Sequence, residues 1–366
     1  MLLAALLTAC GGGGGDKTGG SIPKTYTASC SDGSTRSSST SLADAQGLCL
    51  STKPVDSTSN NLTGSAPILT SQPPDPVYVD AQKVVYDIFN KARGDCGFGY
   101  VTRNAKIDEA ATAHAKYGVL NNVLSHYETD SKPGFTGVDP WARMTAAGYA
   151  NYAPGSSELA SATPLVNVGD ELVGVARAAI GLLAAPYHLS TILGDSGHSD
   201  IGIGVQFVTP VQNLTSAIVI ADLGTPLGGR QQSLNEGEVR TYPCEGTTGT
   251  DYQLTGEDPN PVPGRILKVA PIGQPIFVMA ARGHTLTIVD VTLTGPDGRS
   301  LEVLPTLNST TDKSGRYIEP HYAVIMPDKP MLPMTKYQVL INGKDNNKPF
   351  TRQFSFTTGN ATKKGS

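Results

Sequence analysis

The segment LSHYETDSKPGFTG, residues 124–137, places His126 and Glu128 two positions apart, in front of a loop rich in glycine, proline and threonine. Imidazole and carboxylate groups bind divalent cations and exchange protons near neutral pH. Two interpretations of His126 stay open: a cation ligand in a cleft, or a hydrogen-bonded structural residue. Glu128 is either a further contributor to such a site or a solvated loop acid, which is the commoner role of a glutamate.

The remaining histidines are His114, His188, His198, His284 and His321. His114 lies on the alanine-rich stripe of a predicted helix, which favours a hydrogen-bonded residue in the core or at the edge of a cleft. His284 and His321 stand singly, so a structural role is expected for each.

The segment GDSGH, residues 194–198, resembles the nucleophile loop of trypsin-like proteases, and TAHA at 112–115 resembles their histidine motif. That chemistry requires a two-barrel fold, whereas His114 lies in a predicted helix. No G-x-S-x-G elbow occurs either. We therefore do not expect a serine protease, and we interpret His198 as a turn residue.

The chain has 366 residues, a net charge of -4 and only 16% charged residues. No block of lysine and arginine occurs, so nucleic acid is not an expected partner. The length exceeds what one hydrophobic core usually supports and predicts about two or three domains.

Helices and strands follow one another in separate stretches of the chain. Amphipathic spacing predicts helices over residues 80–94, 105–122, 139–148 and 169–186, the third capped by Asp139 and the fourth ended by Pro186. The alternating segments 201–207 and 216–224 predict an antiparallel strand pair, in which the glycines of IGIGV allow a close approach. From about residue 240 apolar and polar residues alternate with a period of two, which is typical of β-strands. The predicted fold class is α+β, with a domain over 78–228 and a small all-β sandwich domain over 240–360, which resembles the Ig-like domains of bacterial surface proteins.

Several short motifs of the first domain occur in a familiar order. They are NKAR in the opening helix, AATAHAKY, SH at 125–126, RMTAAGY at 143–149, Glu158, and PYHLSTIL leading into IGIGV. Together they resemble the CAP superfamily, the cysteine-rich secretory, antigen 5 and pathogenesis-related 1 proteins, in its bacterial secreted form. The resemblance implies a CAP-type α-β-α sandwich.

The same resemblance implies a central cleft in which two histidines and one or two carboxylates converge. By motif position these residues are His126, His188 and Glu158, with Glu128 and His114 as further cleft residues. Such a set could hold Zn²⁺ or another divalent cation. The sequence departs from the family pattern where SEL replaces GEN, where Leu189 replaces an arginine, and where the second-helix glutamate of eukaryotic members is missing. We therefore expect a modest affinity for the ion.

These features predict a binding module that holds a divalent cation and an apolar or cell-envelope ligand in its cleft. One alternative is a metal-dependent hydrolase in which Glu158 activates water. Another is a structural or adhesive surface protein that acts through its β-domain.

The N-terminal run MLLAALLTAC is apolar up to Cys10 and resembles the lipobox of bacterial lipoproteins. The resemblance implies removal of residues 1–9, acylation of Cys10 and attachment to a lipid bilayer. No basic n-region precedes the apolar run, so we expect the natural start to lie upstream. The expected location is the cell envelope, at the outer membrane or cell surface. Residues 10–23 would form a flexible tether, 24–50 a disulfide-stapled mini-module and 51–77 a linker.

Export predicts disulfides among Cys30, Cys49, Cys96 and Cys244. Four cysteines allow three pairings, and we favour Cys30 with Cys49 and Cys96 with Cys244 because the first pair brackets its own short segment. A metal site is the weaker interpretation, since no C-x-x-C spacing occurs.

Overall fold

The computed structural model describes residues 26–29, 35–38 and 66–360, except 150, 164–165, 195–197, 212, 227–228, 230 and 316. The chain divides into two compact units, residues 1–60 and 61–366. In the first unit, β1 (Tyr26–Ser29) and β2 (Thr35–Ser38) form an antiparallel pair. The expected acylation site Cys10 and the expected pair of Cys30 with Cys49 lie outside the described residues.

The second unit starts with an α+β lobe, which we define as residues 66–226. Its main sheet has the order β4 (Thr102–Arg103), β7 (Asp200–Val211), β8 (Leu214–Pro226), β5 (Asn151–Ala162), and β6 (Val166–Asn167) also pairs with β8. β7 and β8 are antiparallel, with Ile203 opposite Ala221, so the predicted strand pair is confirmed. β5 is a long strand that the sequence analysis did not identify. A short β3 (Ala66–Pro67) pairs in parallel with β9 (Gln232–Ser233), in the segment that leaves the lobe.

In the described part of this lobe, five helices pack around the sheet. They are α1 (Asp80–Asp95), α2 (Ala105–Asn121), α3 (Pro140–Ala146), α4 (Glu171–Leu182) and α5 (Pro186–Leu193). As predicted, the Asp139 carboxylate accepts a hydrogen bond from the backbone N–H of Ala142 and caps α3. The prediction that the fourth helix extends to Pro186 is wrong: that helix ends at Leu182. Pro186 instead begins α5, because the first turn of a helix needs no backbone N–H from its residues.

The two faces of the sheet carry different helices. Ile201 and Ile203 pack with α1 and α4 on one face, whereas Ile218 and Ile220 pack with α2 on the other. Gly204 lies so close to α2 that a Cβ atom there would be 2.2 Å from the backbone carbon of Ala111. The glycines of β7 thus permit the close approach that the sequence predicted. The resulting α-β-α arrangement agrees with the expected fold class.

Residues 240–360 form a second lobe, which we call the β-lobe. One sheet has the order β10 (Arg240–Tyr242), β12 (Ile276–Met279), β15 (Tyr322–Ile325), β14 (Leu307–Asn308), and the other has the order β11 (Thr247–Thr250), β17 (Lys348–Thr358), β16 (Lys336–Asp345), β13 (Leu286–Thr294). Val278, Ile325 and Phe356 are among the side chains buried between the sheets. The predicted all-β character of this region is confirmed.

The first sheet of the β-lobe is buried on both of its faces. Ile276 and Val278 of β12 point into the sandwich, while Phe277 and Met279 join the core of the α+β lobe. Successive strand residues point to opposite faces, so a fully buried strand is apolar at every position. The two lobes therefore share a continuous hydrophobic core.

The predicted disulfide between Cys96 and Cys244 is present and joins the end of α1 to the β-lobe. It closes a loop with a sequence separation of 148 residues. Among the described helices, none is by itself long and apolar enough to cross a membrane, and only the bent pair α4 and α5 passes that test, on length and composition alone.

Candidate functional site

The imidazole rings of His126 and His188 lie side by side, with ring centroids 6.4 Å apart. His126 belongs to the loop after α2, and 41% of its side chain is exposed. His188 lies in the first turn of α5 and is 15% exposed. Two residues that are distant in sequence therefore lie close together at the protein surface.

The Glu158 carboxylate is within hydrogen-bonding distance of the ring of His126. The Nδ1 atom of His126 is 2.8 Å from Oε1 of Glu158, and the buried guanidinium of Arg143 donates to the other carboxylate oxygen. Burial raises the pKa of Glu158, but the charge of Arg143 and the bond to His126 outweigh it and lower this pKa to about 2. Burial lowers the pKa of His126, and the hydrogen bond and charge of Glu158 more than reverse that shift. Glu158 is thus an ionised acceptor.

His114 and Glu128 form a second histidine–carboxylate pair, which is buried beside the first. The Nδ1 atom of His114 is 2.8 Å from Glu128, and its Nε2 atom is 2.7 Å from the carbonyl oxygen of Ser125. Burial raises the pKa of Glu128, but the bond to His114 and the donated N–H of Thr136 bring it below its ordinary value. Each ring nitrogen of His114 therefore has a hydrogen-bond partner.

Glu128 is therefore not a solvated loop acid, because residues 136–137 fold back over it and donate backbone N–H groups to its carboxylate. His114 is a fully hydrogen-bonded core residue, in agreement with the favoured interpretation. Both side chains are buried, with exposed fractions of 3% and 0%, so neither is open to solvent.

His188 is held by a residue from the other lobe. The Nδ1 atom of His188 is 2.8 Å from Oε1 of Glu257, which lies in the loop between β11 and β12. Glu257 was not predicted from the sequence, because an acid in an irregular loop 69 positions from its partner leaves no local pattern. The charge of the neighbouring Asp258 contributes to the raised pKa of His126, so this loop approaches both histidines.

The other histidines lie away from this pair. His198, which we interpreted as a turn residue, lies outside helix and strand just before β7 and is buried, and burial and then the charges of Arg93 and Arg282 lower its pKa to about 3. Residues 195–197 of the protease-like segment lie outside the described residues. His284 contacts Asp345 at 2.7 Å and His321 is buried, both in the β-lobe.

The donor atoms that remain for a cation are few. Among the described residues, no group of three or more His, Cys, Asp and Glu side chains has the arrangement of a metal site. Both oxygens of Glu158 are hydrogen-bonded, and the Nδ1 atoms of His126 and His188 each face a carboxylate. The described residues give no hydrogen-bond partner to either Nε2 atom. These two nitrogens are the donor atoms left for a cation, fewer than the three protein ligands of a catalytic zinc.

The fold and the site define an α+β protein in which two carboxylate-bound histidines lie together at the surface. No protein-family model matches the chain, and no curated protein matches it. Among solved structures, the chain is similar to an extracellular protein containing an SCP domain from Bacillus anthracis str. Ames. The two share 18% sequence identity, the match covers 38% of this chain and 40% of that chain, and the TM-score is 0.27. The match thus spans less than half the length of that protein.

Proposed function

We propose that this protein is a secreted, CAP-like binding module of the cell envelope whose cleft holds a divalent cation between the Nε2 atoms of His126 and His188. The supporting observation is the pairing of the two rings, each with its Nδ1 atom on a carboxylate. A carboxylate at Nδ1 fixes the tautomer, leaves the Nε2 lone pair for a cation and makes the ring a stronger ligand. When bound, such an ion would polarise an oxygen atom of a ligand.

In this proposal Glu158 orients His126 and is not itself a ligand. Its side chain is 1% exposed, and Arg143 and His126 occupy its two oxygens. For the same reason we do not propose the metal-dependent hydrolase, since Glu158 is buried and both of its oxygens already accept hydrogen bonds.

An apolar or envelope-derived ligand is proposed to bind beside the ion. The segments next to His126 in the sequence carry large exposed apolar side chains, namely Leu124, Phe135 and Trp141. Secretion is supported by the Cys96–Cys244 disulfide, which persists in an oxidising compartment. Attachment to a bilayer is proposed to occur through acylated Cys10, and a Cys10→Ser variant should leave the membrane fraction for the soluble one.

Calorimetric titration of the chelator-treated full chain with Zn²⁺ tests the cation site. We expect one ion per chain, and at least about a tenfold weaker affinity in each of the variants His126→Ala and His188→Ala. His284→Ala is the matched control, because this histidine also has a carboxylate partner but lies in the β-lobe. No heat with the wild-type chain would remove the ion from the proposal. Wild-type affinity in both cleft variants would place the ion elsewhere.

A further inference from the structure

We infer that Glu257 of the β-lobe is a positioning residue for His188, so that the cleft of the α+β lobe is complete only when the β-lobe is docked. The cation-binding part of this inference rests on the proposed function. The role of the carboxylate in fixing His188 is independent of it.

One oxygen atom of Glu257 fixes both the backbone and the ring of His188. Oε1 accepts the backbone N–H of Tyr187 at 2.9 Å, the backbone N–H of His188 at 3.0 Å, and the ring Nδ1–H of His188 at 2.8 Å. The ring Nδ1 and the backbone N–H of His188 both bind this one oxygen atom, so the ring has little freedom to rotate. The contact therefore sets the orientation of the ring as well as its tautomer.

The surroundings of Glu257 show that its carboxylate caps the N-terminus of α5. The side chain is fully buried, and its second oxygen, Oε2, has no hydrogen-bond partner among the described residues. The residue before α5, Ala185, has no side chain that can cap the helix. Glu257 supplies that cap from another lobe, and its negative charge lies at the positive end of the helix.

The tautomer decides whether His188 can bind a cation. With the proton on Nδ1, the lone pair of Nε2 is free and lies on the side of the ring away from Glu257. Without the carboxylate, the proton can move to Nε2, and that nitrogen becomes a donor that repels a cation. The β-lobe thereby selects the binding form of a histidine in the α+β lobe.

Other contacts keep α5 in place when Glu257 is changed. The hydroxyl of Tyr187 donates to Asp312 at 2.9 Å, and the side-chain amide of Gln274 donates to the carbonyl oxygen of Leu183 just before α5. Leu189 and Ile192 of α5 are also fully buried. A substitution at Glu257 should therefore alter the ring of His188 without releasing the helix.

The test compares Glu257→Ala and Glu257→Gln in the full chain, with Glu236→Ala as the matched control because Glu236 is an exposed glutamate near the same lobe. Ring ¹⁵N chemical shifts of His188, measured without metal, report the tautomer directly. We expect Nδ1–H in the wild type and in Glu236→Ala, a shift toward Nε2–H in Glu257→Ala, and partial retention in Glu257→Gln, whose amide oxygen still accepts. The Zn²⁺ affinity of Glu257→Ala should fall by roughly 10–100-fold.

The tautomer of His188 tests the positioning role of Glu257, and the zinc affinity tests the proposed cation site. An unchanged His188 tautomer in Glu257→Ala overturns the positioning role, whatever the zinc affinity. A changed tautomer in a protein whose wild type binds no Zn²⁺ supports the positioning role and overturns the proposed cation site. A changed tautomer with an unchanged zinc affinity overturns the claim that the β-lobe completes the site. If Glu257→Ala fails to fold by near-ultraviolet circular dichroism, the same comparison is made with Glu257→Gln.

Discussion

Glu158 of β5 and Asp222 of β8 lie directly opposite each other in the sheet, and both side chains are buried. Two buried carboxyl groups in contact cannot both ionise at low cost. Arg143 and His126 keep Glu158 ionised, whereas burial and then the charge of Glu158 raise the pKa of Asp222 well above its ordinary value. No described donor reaches the oxygens of Asp222, which fits a protonated carboxyl that itself donates to Glu158.

Replacing Asp222 by asparagine should stabilise the protein at neutral and alkaline pH. The folded chain keeps a proton on Asp222 that the unfolded chain releases, so the contribution of Asp222 is present below its ordinary pKa and is lost as the pH rises toward the raised value. An amide can donate to Glu158 without this cost. We expect an advantage of about 1 kcal/mol in the free energy of unfolding at pH 8, shrinking toward pH 4. Urea unfolding at both pH values measures this difference. A variant that is less stable than the wild type at pH 8 would contradict the prediction.

Replacing Glu158 by glutamine should destabilise the protein by roughly 3–5 kcal/mol at pH 7, because the buried Arg143 loses its carboxylate. The pKa of Glu158 is lowered to about 2, so its contribution is present above its ordinary pKa and is lost as the pH falls toward 2. The difference between variant and wild type should therefore shrink on acidification. Glu109→Gln, which removes an exposed pair with Lys106, should change stability by less than about 1 kcal/mol. Equal losses of stability in the two variants would show that the buried pair contributes no more than the exposed pair.

Cation affinity should rise with pH through the raised pKa of His126. The proton and the cation compete for the same ring, and Glu158 holds the pKa of His126 above its ordinary value. The affinity for Zn²⁺ should therefore fall steeply when the pH drops from 8 to 6. Calorimetry at several pH values, in buffers of different ionisation enthalpy, measures both the affinity and the number of protons released. An affinity that does not change with pH would exclude His126 as a ligand.

Gly204→Ala should be strongly destabilising, because the new methyl group would lie 2.2 Å from the backbone of α2 at Ala111. We expect a loss of about 3 kcal/mol, since a helix backbone cannot give way as a side chain can. Gly181→Ala is the control: this glycine is in α4, and a Cβ atom there meets nothing within 4 Å. That change should stabilise the protein by about 0.5–1 kcal/mol. Thermal unfolding of both variants distinguishes packing from helix propensity.

The α+β lobe should not fold without the β-lobe. A chain that ends at residue 229 would expose the surface that Phe277 and Met279 cover. We expect it to lack a native near-ultraviolet spectrum and a cooperative unfolding transition. The full chain carrying Cys96→Ser and Cys244→Ser is the comparison, because it keeps the shared core and should remain folded with a loss of about 2–5 kcal/mol. A cooperatively folded fragment would show that each lobe has a sufficient core of its own.

Local patterns predicted much of the fold correctly. Helical spacing located α1, α2 and α3, alternation located the pair β7 and β8, and the glycines of β7 indicated a close approach, although not that its partner is α2. The four cysteines led to the correct pairing of Cys96 with Cys244. Motif order in the α+β lobe selected His126, Glu158 and His188, which the structure brings into one neighbourhood. Each of these features depends on residues a few positions apart or on a recurring motif.

Other features depended on contacts between distant parts of the chain. Proline at 186 has the same local preference at the end of one helix as at the start of the next, so the sequence did not distinguish the two. The burial of Glu128, the raised pKa of Asp222 and the contact of Glu257 with His188 arise only when separate elements pack together. Amino-acid sequence therefore determined which elements form and which side chains could do chemistry. Tertiary structure decided their protonation and orientation, because burial and charge at a side chain depend on neighbours that its sequence position does not reveal.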